Sequence, residues 1–539
     1  MRIDVKTLLI LASLPLLLIA IALVQWGSMG LPALPSATSM AAIMQPQGFP
    51  SWLRIGHFIN ALFFILLVRS GLQILMDHPR LYWNVHCTPG TEWLRLTPVA
   101  MPKDRMWTAK EDARHLSPWI GLPGYRHTVG MARHWHFLSV LFWIGNGFVY
   151  VALLFATDAW HRLVPTSWHV VPDAWAVFVH YATLHLPQEP NGFFHYNALQ
   201  QLSYFSVVFI LAPLALITGP SMSPAFTARF PWYPRLPGNR QIGRSLHFLV
   251  MCAFIAFTGM HIAMVAITGL TQNMNHIVVG TDAANTTGLW IGAIGITLII
   301  GLNAGANLLA WRQPRLVQHT AKLIITPIMR LLFGRAVPTA QFAPPDISPY
   351  FWVNGKAPTC SEWEQLEADG FRNYRLTVHG AVGNPVELSL DEMRALGLSE
   401  QITLHHCIQG WSGIAQWGGL RMDRLMALVK PLPHATAVVF HSFSDGVALD
   451  RPGVGGRYYD SLSLRDAHSP QTILAYEMNG EPLTRHHGAP LRLRVENQLG
   501  FKMVKWIQSI EFVEDISAIR GGEGGFAEDH EYFGELANI

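Results

Sequence analysis

One apolar stretch constrains the fold more than any other part of the sequence. Residues 245–269 run without a charged side chain and are long enough to cross a lipid bilayer as one helix. The run contains His247 and His261. At about 1.5 Å of rise per residue, the two histidines lie roughly 21 Å apart on nearly the same helix face, one near each membrane surface.

Two histidines at these depths indicate a functional site, because ionisable residues inside a membrane are costly and usually functional. A helix with one imidazole near each surface suits a cytochrome with two b-type haems, provided that other helices supply the opposing ligands. The alternative is that both rings are satisfied by hydrogen bonds between packed helices. This helix alone leaves both interpretations open.

Five other apolar runs predict further membrane helices, so we expect a membrane bundle of about six helices: residues 7–25, 55–76, 136–156, 196–218, 245–270 and 285–311. The first run follows Arg2 and Lys6 like a signal peptide, but no clear small-residue cleavage site follows, so we expect an uncleaved helix.

Basic residues predict the orientation of this bundle. Lys and Arg are concentrated before helix one, between helices two and three, between helices four and five, and after helix six. The intervening loops contain only Arg162, with Arg54 at the start of helix two. This asymmetry predicts that both ends of the membrane part lie in the cytoplasm of a bacterial cell, in the inner membrane.

The orientation pairs the histidines by depth. His57 opens helix two at the outer surface, and His136 opens helix three at the inner surface. Helix five then places His247 at the inner depth and His261 at the outer depth. We therefore expect His136 with His247 and His57 with His261 as ligands of two b haems. His134 is a close rival to His136, because packing decides which ring faces inward.

The membrane part resembles the cytochrome b subunits of thiosulfate reductase and nickel hydrogenase. The likeness rests on RIGH at 54–57, RHWHF at 133–137, YNALQQLSY at 196–204, PLALITG at 213–219 and the helix with His247 and His261. It covers roughly residues 52–269 and implies two b haems that exchange electrons with quinone or quinol. Helices one and six look like additions to that family.

Composition excludes other classes of protein. The chain has 539 residues, is 50% hydrophobic and has a formal net charge of +3, which gives no signal for nucleic-acid binding. Cys87, Cys252, Cys360 and Cys407 are scattered, without a CxxC or CxxCH motif. This pattern argues against a disulfide framework, a zinc site and covalently attached haem.

The sequence divides into four expected segments: an N-terminal helix with an extracytoplasmic segment (1–51), the membrane domain (52–311), an amphipathic or linker helix with a proline-rich boundary at 338–345 (312–345), and a soluble domain (346–539). In the soluble domain, alternating stretches predict strands at 374–379, 401–406, 437–443, 472–477, 491–496 and 504–513. Helices are predicted after the capping box at 389–392 and at 420–429. The fold class is therefore an all-α membrane bundle followed by an α+β domain.

Cys407 is the most distinctive residue of the soluble domain. It ends a predicted strand beside His405 and His406. It could be a buried structural thiol, a nucleophile with a histidine base or a soft metal ligand. Spacing alone does not decide among the three.

The stretch LAYEMNGEPLTRHHGAPLRLRVENQLGFKMVKWI at 474–507 resembles the molybdopterin domain of sulfite oxidases, and CIQGWSGIAQWGG at 407–419 resembles the protein-methionine-sulfoxide reductase branch of that superfamily. The likeness covers residues 347–513. It implies that Cys407 binds molybdenum and that Tyr458, with Tyr459 as its rival, is an active-site tyrosine. It also implies a set of residues that hold the pterin and its phosphate: Ser348, Phe351, Trp352, Ser442, His487, Arg492, Met503 and Lys505.

The sequence departs from sulfite oxidases directly after Cys407. The Asn-Arg pair that helps to bind an oxyanion in that family is replaced by Ile408 and Gln409. With Trp411 and Trp417 nearby, the pocket should be less anion-selective, which favours a neutral S- or N-oxide.

Together these observations predict a membrane-bound molybdenum oxidoreductase that links quinone, through two b haems, to oxygen-atom transfer. The N-terminal residues contain no twin-arginine motif, and this observation and the basic loops both predict that the molybdopterin domain lies in the cytoplasm. Alternatives are sulfite-type oxidation that delivers electrons to quinone, and a non-catalytic electron conduit.

Overall fold

The structure is a computed structural model that describes residues 2–3, 5–34, 48–98, 101–102, 104–125, 129–186, 191–233, 236–333, 342–445 and 456–530, with side chains from residue 13 onward. The first half of the predicted boundary at 338–345, and the segment between helices one and two at 35–47, lie outside these residues.

Long apolar helices form the first part of the chain. They are α1 (Val5–Met29), α2 (Ser51–Leu75), α3 (Val129–Ala156), α4 (Val170–Ala182), α5 (Ala198–Met222), α6 (Arg240–Ile267) and α7 (Thr287–Arg312). Among the described residues, α2, α3, α5, α6 and α7 are long and apolar enough to cross a membrane. They match five of the six predicted spans within a few residues, and α1 contains the sixth.

One element of the bundle was not predicted. Helix α4 lies in the connection between α3 and α5 and packs against α1. The Trp175 indole donates a hydrogen bond to Gln25 Oε1 over 2.8 Å. Its thirteen residues are too few to cross a bilayer. The sequence prediction selected apolar runs of membrane-spanning length, so it did not include this helix.

We call the end of the bundle that faces the soluble domain the near end, and the opposite end the far end. The long connection between α2 and α3 lies at the near end, where Arg2–Ile3, Arg80–Leu81 and Leu94–Arg95 form a small antiparallel sheet. Arg80 anchors this connection through buried ion pairs with Asp112 (2.6 Å) and Glu92 (2.8 Å).

Helix α8 (Pro314–Phe333) joins the two parts. Its buried face repeats every four residues at Val317, Ala321, Ile325 and Met329, which is the spacing of one helix face. The helix packs against α3, and Lys322 pairs with Glu523 of the soluble domain over 2.7 Å. It is therefore a packed connecting helix as well as an amphipathic one.

The soluble domain contains two five-stranded sheets built from ten strands: β1 (Leu376–Gly380), β2 (Val386–Leu388), β3 (Ser399–His406), β4 (Ser412–Arg421), β5 (Ala437–Asp445), β6 (Arg457–Ser463), β7 (Ile473–Met478), β8 (Glu481–Pro482), β9 (Arg492–Arg494) and β10 (Ile507–Val513). One sheet has the order β8-β7-β4-β3, with β9 also paired to β7; the other has the order β2-β1-β10-β5-β6. All pairs are antiparallel except β10 with β1.

Helices α9 (Ser361–Ala368), α10 (Leu390–Ala395) and α11 (Met422–Val429) cover these sheets. The Ser389 hydroxyl caps α10 by accepting a hydrogen bond from the Glu392 amide over 3.2 Å, as the capping box predicts. The six predicted strands are present, but four others were missed: β2, β4, β6 and β8. The predicted helix at 420–429 begins at Met422, because Leu420 and Arg421 still pair with β7.

Candidate metal and cofactor sites

The four membrane histidines form two opposed pairs. The ring centroids of His57 and His261 are 6.2 Å apart, and those of His136 and His247 are 6.5 Å apart. A metal–imidazole nitrogen bond of about 2.0 Å, added to the radius of each ring, places two opposed imidazole centroids roughly 6 Å apart. Both pairs therefore fit one iron between two rings.

Hydroxyl groups fix the orientation of the near-end pair. His136 Nδ1 lies 3.1 Å from the Ser70 hydroxyl, and His247 Nδ1 lies 2.9 Å from the Thr218 hydroxyl. Each hydroxyl donates its own proton to a backbone carbonyl four residues earlier, so it accepts from the imidazole Nδ1–H. In each imidazole, Nε2 then carries the free lone pair that a metal needs.

The far-end pair has an aromatic partner instead. His261 Nδ1 lies 3.1 Å from the Tyr204 hydroxyl, and the His261 ring stacks on Phe257 at an interplanar angle of 8°. The rival residue His134 is fully buried on another face of α3, whereas His136 faces His247. The geometry thus favours His136 as the ligand.

Cys407 is buried at the end of β3. Its sulfur lies 3.8 Å from Asn354 Nδ2 and 3.9 Å from Gln409 Oε1. Burial raises the pKa of the Cys407 thiol to about 12, so the thiolate needs a cation of its own to form at neutral pH. A metal ligand meets that requirement. A histidine-activated nucleophile fits less well, because burial and nearby guanidinium groups lower the pKa of His405 and His406 and make both weak proton acceptors.

A cavity of about 290 Å³ opens beside three of the expected pterin ligands. Ser348, Phe351 and His487 line it, and Met106 of the membrane domain closes one side. The Ser348 hydroxyl accepts a hydrogen bond from the Ile414 amide over 2.9 Å. This concave, partly apolar space is of the kind that holds a flat heterocycle.

Two cations that have no carboxylate partner among the described residues lie beside His487. Arg492 Nη1 donates to the His487 carbonyl over 2.9 Å, and the Lys505 ammonium donates to the His486 carbonyl over 2.9 Å. Burial and these two cations lower the pKa of His487 to about 4. Arg492 Nε and His487 Nε2 are buried without a hydrogen-bond partner among the described residues. Buried cations with free donors fit an anion such as a phosphate.

The remaining predicted residues have contacts in other parts of the domain. Ser442 donates its hydroxyl proton to the Lys505 carbonyl over 2.7 Å, and Met503 is buried in the main core. Trp352 packs in one cluster with Cys407 and donates its indole N–H to the Cys87 carbonyl over 2.7 Å. The Tyr458 hydroxyl donates to the Phe501 carbonyl over 2.6 Å.

The two tryptophans after Cys407 are fully buried. Trp417 lies between two guanidinium groups, with Arg492 at 4.6 Å and Arg494 at 4.4 Å from its ring centroid. Its role is therefore to hold those cations, and the groups beside the Cys407 sulfur are the neutral amides of Asn354 and Gln409. These two residues were not predicted as site residues.

The near end of α6 contacts the Cys407 loop directly. Arg240 donates to the carbonyl oxygens of Cys407 (3.0 Å) and Trp411 (3.2 Å). The next residue, Gln241, donates its amide to the Gly410 carbonyl over 2.9 Å. Arg240 precedes His247 by seven residues, so the two helix positions lie about 10 Å apart along the helix axis.

The connection after α2 closes the same site from another side. Gln409 donates to the Asp77 carbonyl over 3.3 Å, and the Ser412 hydroxyl donates to the Val85 carbonyl over 2.7 Å. His78 lies edge-on to Trp352 with ring centroids 5.0 Å apart. Sequence reasoning missed Asp77, His78, Val85 and Ser412, because their relation to Cys407 exists only in the tertiary structure.

Groups of three or more potential metal-ligating side chains are absent from the described residues. This agrees with the donor sets above, since a b haem takes two histidines from the protein and a pterin-bound molybdenum takes one cysteine.

Two family models match the chain. Residues 48–278 match the model described as prokaryotic cytochrome b561, and residues 363–518 match the oxidoreductase molybdopterin binding domain. Together they identify a cytochrome b module, with its b haem, followed by a molybdopterin domain.

Curated relatives match shorter segments. A putative protein-methionine-sulfoxide reductase subunit, YedZ1, from Azospira oryzae is 33% identical over 160 residues, which are 30% of this chain and 54% of that protein. The protein-methionine-sulfoxide reductase catalytic subunit MsrP from Gluconobacter oxydans is 34% identical over 147 residues, 26% of this chain and 47% of that protein. The chain thus spans about half the length of the curated relatives it matches.

Among solved structures, the sulfane dehydrogenase SoxCD from Paracoccus pantotrophus matches with a TM-score of 0.23 and 20% identity, over 27% of this chain and 39% of that chain. A score this low carries no inference about the fold.

Proposed function

We propose that this chain, which joins a cytochrome b561 module to an oxidoreductase molybdopterin-binding domain, reduces a neutral S-oxide or N-oxide with electrons from quinol. The observation that carries the proposal is the direct contact between Arg240, at the start of the helix that bears His247, and the carbonyl of Cys407. That contact joins two redox sites within one polypeptide.

Two b haems, one at each histidine pair, would carry single electrons, and a molybdenum centre would transfer the oxygen atom. The residues of this chain position these groups. Ser70, Thr218 and Tyr204 hold the imidazole tautomers, and Arg240 with Gln241 holds the Cys407 loop against α6. Arg492 and Lys505 supply the cations for the pterin phosphate.

The substrate class follows from the groups at the sulfur of Cys407. The Nδ2 of Asn354 and the Oε1 of Gln409 lie there, and neutral amide groups suit a neutral sulfoxide or N-oxide better than a sulfite dianion. The named activity of the MsrP relatives, methionine sulfoxide reduction, belongs to the same class.

The near end would lie in the cytoplasm, because the loops at that end hold most of the basic residues of the membrane part. Reduction would then take two protons from the cytoplasm and release one water for each substrate molecule.

The test uses the haems as reporters. The purified protein is reduced anaerobically with a soluble quinol, and the b-haem absorbance is followed while methionine sulfoxide is added. We expect rapid reoxidation that is lost in Cys407→Ser. Haems that quinol reduces but neither methionine sulfoxide nor an N-oxide reoxidises would contradict the proposal.

A further inference from the structure

The far end of the bundle contains a second cavity, of about 270 Å³. Its wall comes from the start of α2, from the segment before α7 and from the start of α7, and includes Arg54, Phe58, Val278, Ile291 and Gly295. Residues 291–295 lie beyond the stretch that matches the cytochrome b561 model. Part of the cavity wall thus comes from residues outside the matched module.

The cavity adjoins the far-end histidine pair. Arg54 and Phe58 line it from the helical turn that also carries His57. His57 in turn faces His261 at 6.2 Å. The Cys407 site lies at the opposite end of α6, so a molecule in this cavity contacts the redox path only at its far end.

Arg54 gives the cavity a polar group. Its Nη1 donates to the Val278 carbonyl over 2.7 Å, while its Nε is buried and has no hydrogen-bond partner among the described residues. Among the described residues that line the cavity, Arg54 is the one with a charged side chain, and a guanidinium in an otherwise apolar wall favours a ligand oxygen that accepts from it. The ligand therefore needs an acceptor oxygen on an otherwise apolar body.

The cavity is open to the surface that lipid covers. Ile55 and Ile291 stand at its rim and are 61% and 52% exposed in the isolated chain. A ligand that reaches it from the bilayer is thus lipid-soluble. A fatty-acyl tail fits the walls but offers no oxygen to Arg54.

We propose that this cavity binds the head group of a membrane quinone, with a carbonyl oxygen of the ring accepting from Arg54 and the ring packing beside Phe58. The proposal rests on the proposed function and adds the location of its electron donor. Oxidation of one quinol to quinone there releases two electrons to the far-end pair and two protons at the far surface. At the Cys407 site, at the near end, reduction of the substrate consumes these two electrons and takes up two protons.

Gly295 provides the test, because a Cβ at this position meets nothing within 4 Å. A leucine side chain at this position can therefore extend into the cavity without displacing a neighbouring residue. Gly301 on the same helix is also open to a Cβ and does not line the cavity, so Gly301→Leu is the matched control.

The experiment measures steady-state methionine sulfoxide reduction by the full-length holoprotein with two donors, a soluble quinol and reduced viologen. In Gly295→Leu we expect KM for the quinol to rise roughly tenfold or more, with viologen-driven activity and the b-haem spectrum unchanged. Gly301→Leu should change neither. Arg54→Gln, which removes the charged donor, should raise KM for the quinol roughly tenfold.

An unchanged quinol KM in both Gly295→Leu and Arg54→Gln would overturn the cavity as the quinone site, even if the wild-type protein oxidises quinol. A wild-type protein whose haems no quinol reduces would instead overturn the proposed function. Equal losses with both donors in Gly295→Leu and Arg54→Gln would also count against the site, because they would show a structural role.

Discussion

The two histidine pairs share one geometry and differ in what covers them. Both hold their rings 6.2–6.5 Å apart and engage Nδ1 of at least one imidazole with a hydroxyl group. The near-end pair lies beneath a soluble domain that is fixed to α6 by Arg240. The far-end pair lies beside a cavity that opens toward lipid.

This difference suggests what each pair exchanges electrons with. A centre that serves a fixed partner can be sealed by protein, because the partner never leaves. A centre that serves a diffusing partner needs an opening of that partner's size and polarity. The same ligand chemistry can therefore serve both ends. The surroundings of each pair determine its electron-transfer partner.

The largest effect is expected from a substitution that disables the molybdenum site, the fixed partner of the near-end pair. Cys407→Ser should abolish methionine sulfoxide reduction with both quinol and viologen, because the metal loses its thiolate. The haem content should stay unchanged, and quinol should still reduce both haems. Retained viologen-driven turnover would show that Cys407 does not ligate the metal.

Next in size is the loss of the buried cation beside His487. Arg492→Ala leaves an anionic group without its charged partner, at a cost of about 2–5 kcal/mol, so we expect the purified protein to lose most of its molybdenum. Elemental analysis measures this loss. Arg465→Ala, at an exposed arginine of the same domain, is the control. Equal molybdenum in both variants would refute the phosphate role.

A smaller effect is expected at the contact between the two parts. Arg240→Gln removes charged hydrogen bonds to the Cys407 loop, each worth about 1.5–3 kcal/mol. Reoxidation of the haems by methionine sulfoxide should slow roughly tenfold or more, while reduction by quinol stays unchanged. Arg229→Gln, also at the near end but exposed, should leave both rates unaltered. A slower quinol step in Arg240→Gln would contradict this assignment.

The smallest effects come from the hydroxyl partners and separate the two pairs. Thr218→Val removes the partner of His247, and Tyr204→Phe removes the partner of His261. Outer-shell hydrogen bonds of this kind change metal affinity about 10–100-fold. In a redox titration of the b-haem band, each variant should shift one of two midpoint potentials and leave the other in place. A shift of both potentials by either substitution would show that the pairs are not independent.

The sequence predicted the membrane helices and the pairing of histidines because both depend on one-dimensional quantities. Apolar length defines a span, and position along a span defines depth. His136 and His134 could not be separated this way, because they differ in helix face and only packing against α6 selects one.

The soluble domain was less accessible to such reasoning. Strand β4 was missed because it is buried on both faces and its glycines interrupt any alternation. Gly419, for example, has no room for a Cβ beside the Leu474 carbonyl. The cofactor residues of this domain were predicted from resemblance, whereas Arg240 and Asn354, which are distant in sequence, reach Cys407 only after folding. The sequence signal for Arg240 was its position as an arginine at the start of an apolar helix.

The central claim is that the near-end pair alone passes electrons to the Cys407 site. The most direct measurement compares two variants that each keep one pair, His261→Ala and His247→Ala, after reduction by dithionite in a stopped-flow spectrometer. We predict that methionine sulfoxide reoxidises the haem left in His261→Ala at the wild-type rate and leaves the haem in His247→Ala reduced. Rapid reoxidation in His247→Ala would contradict the account.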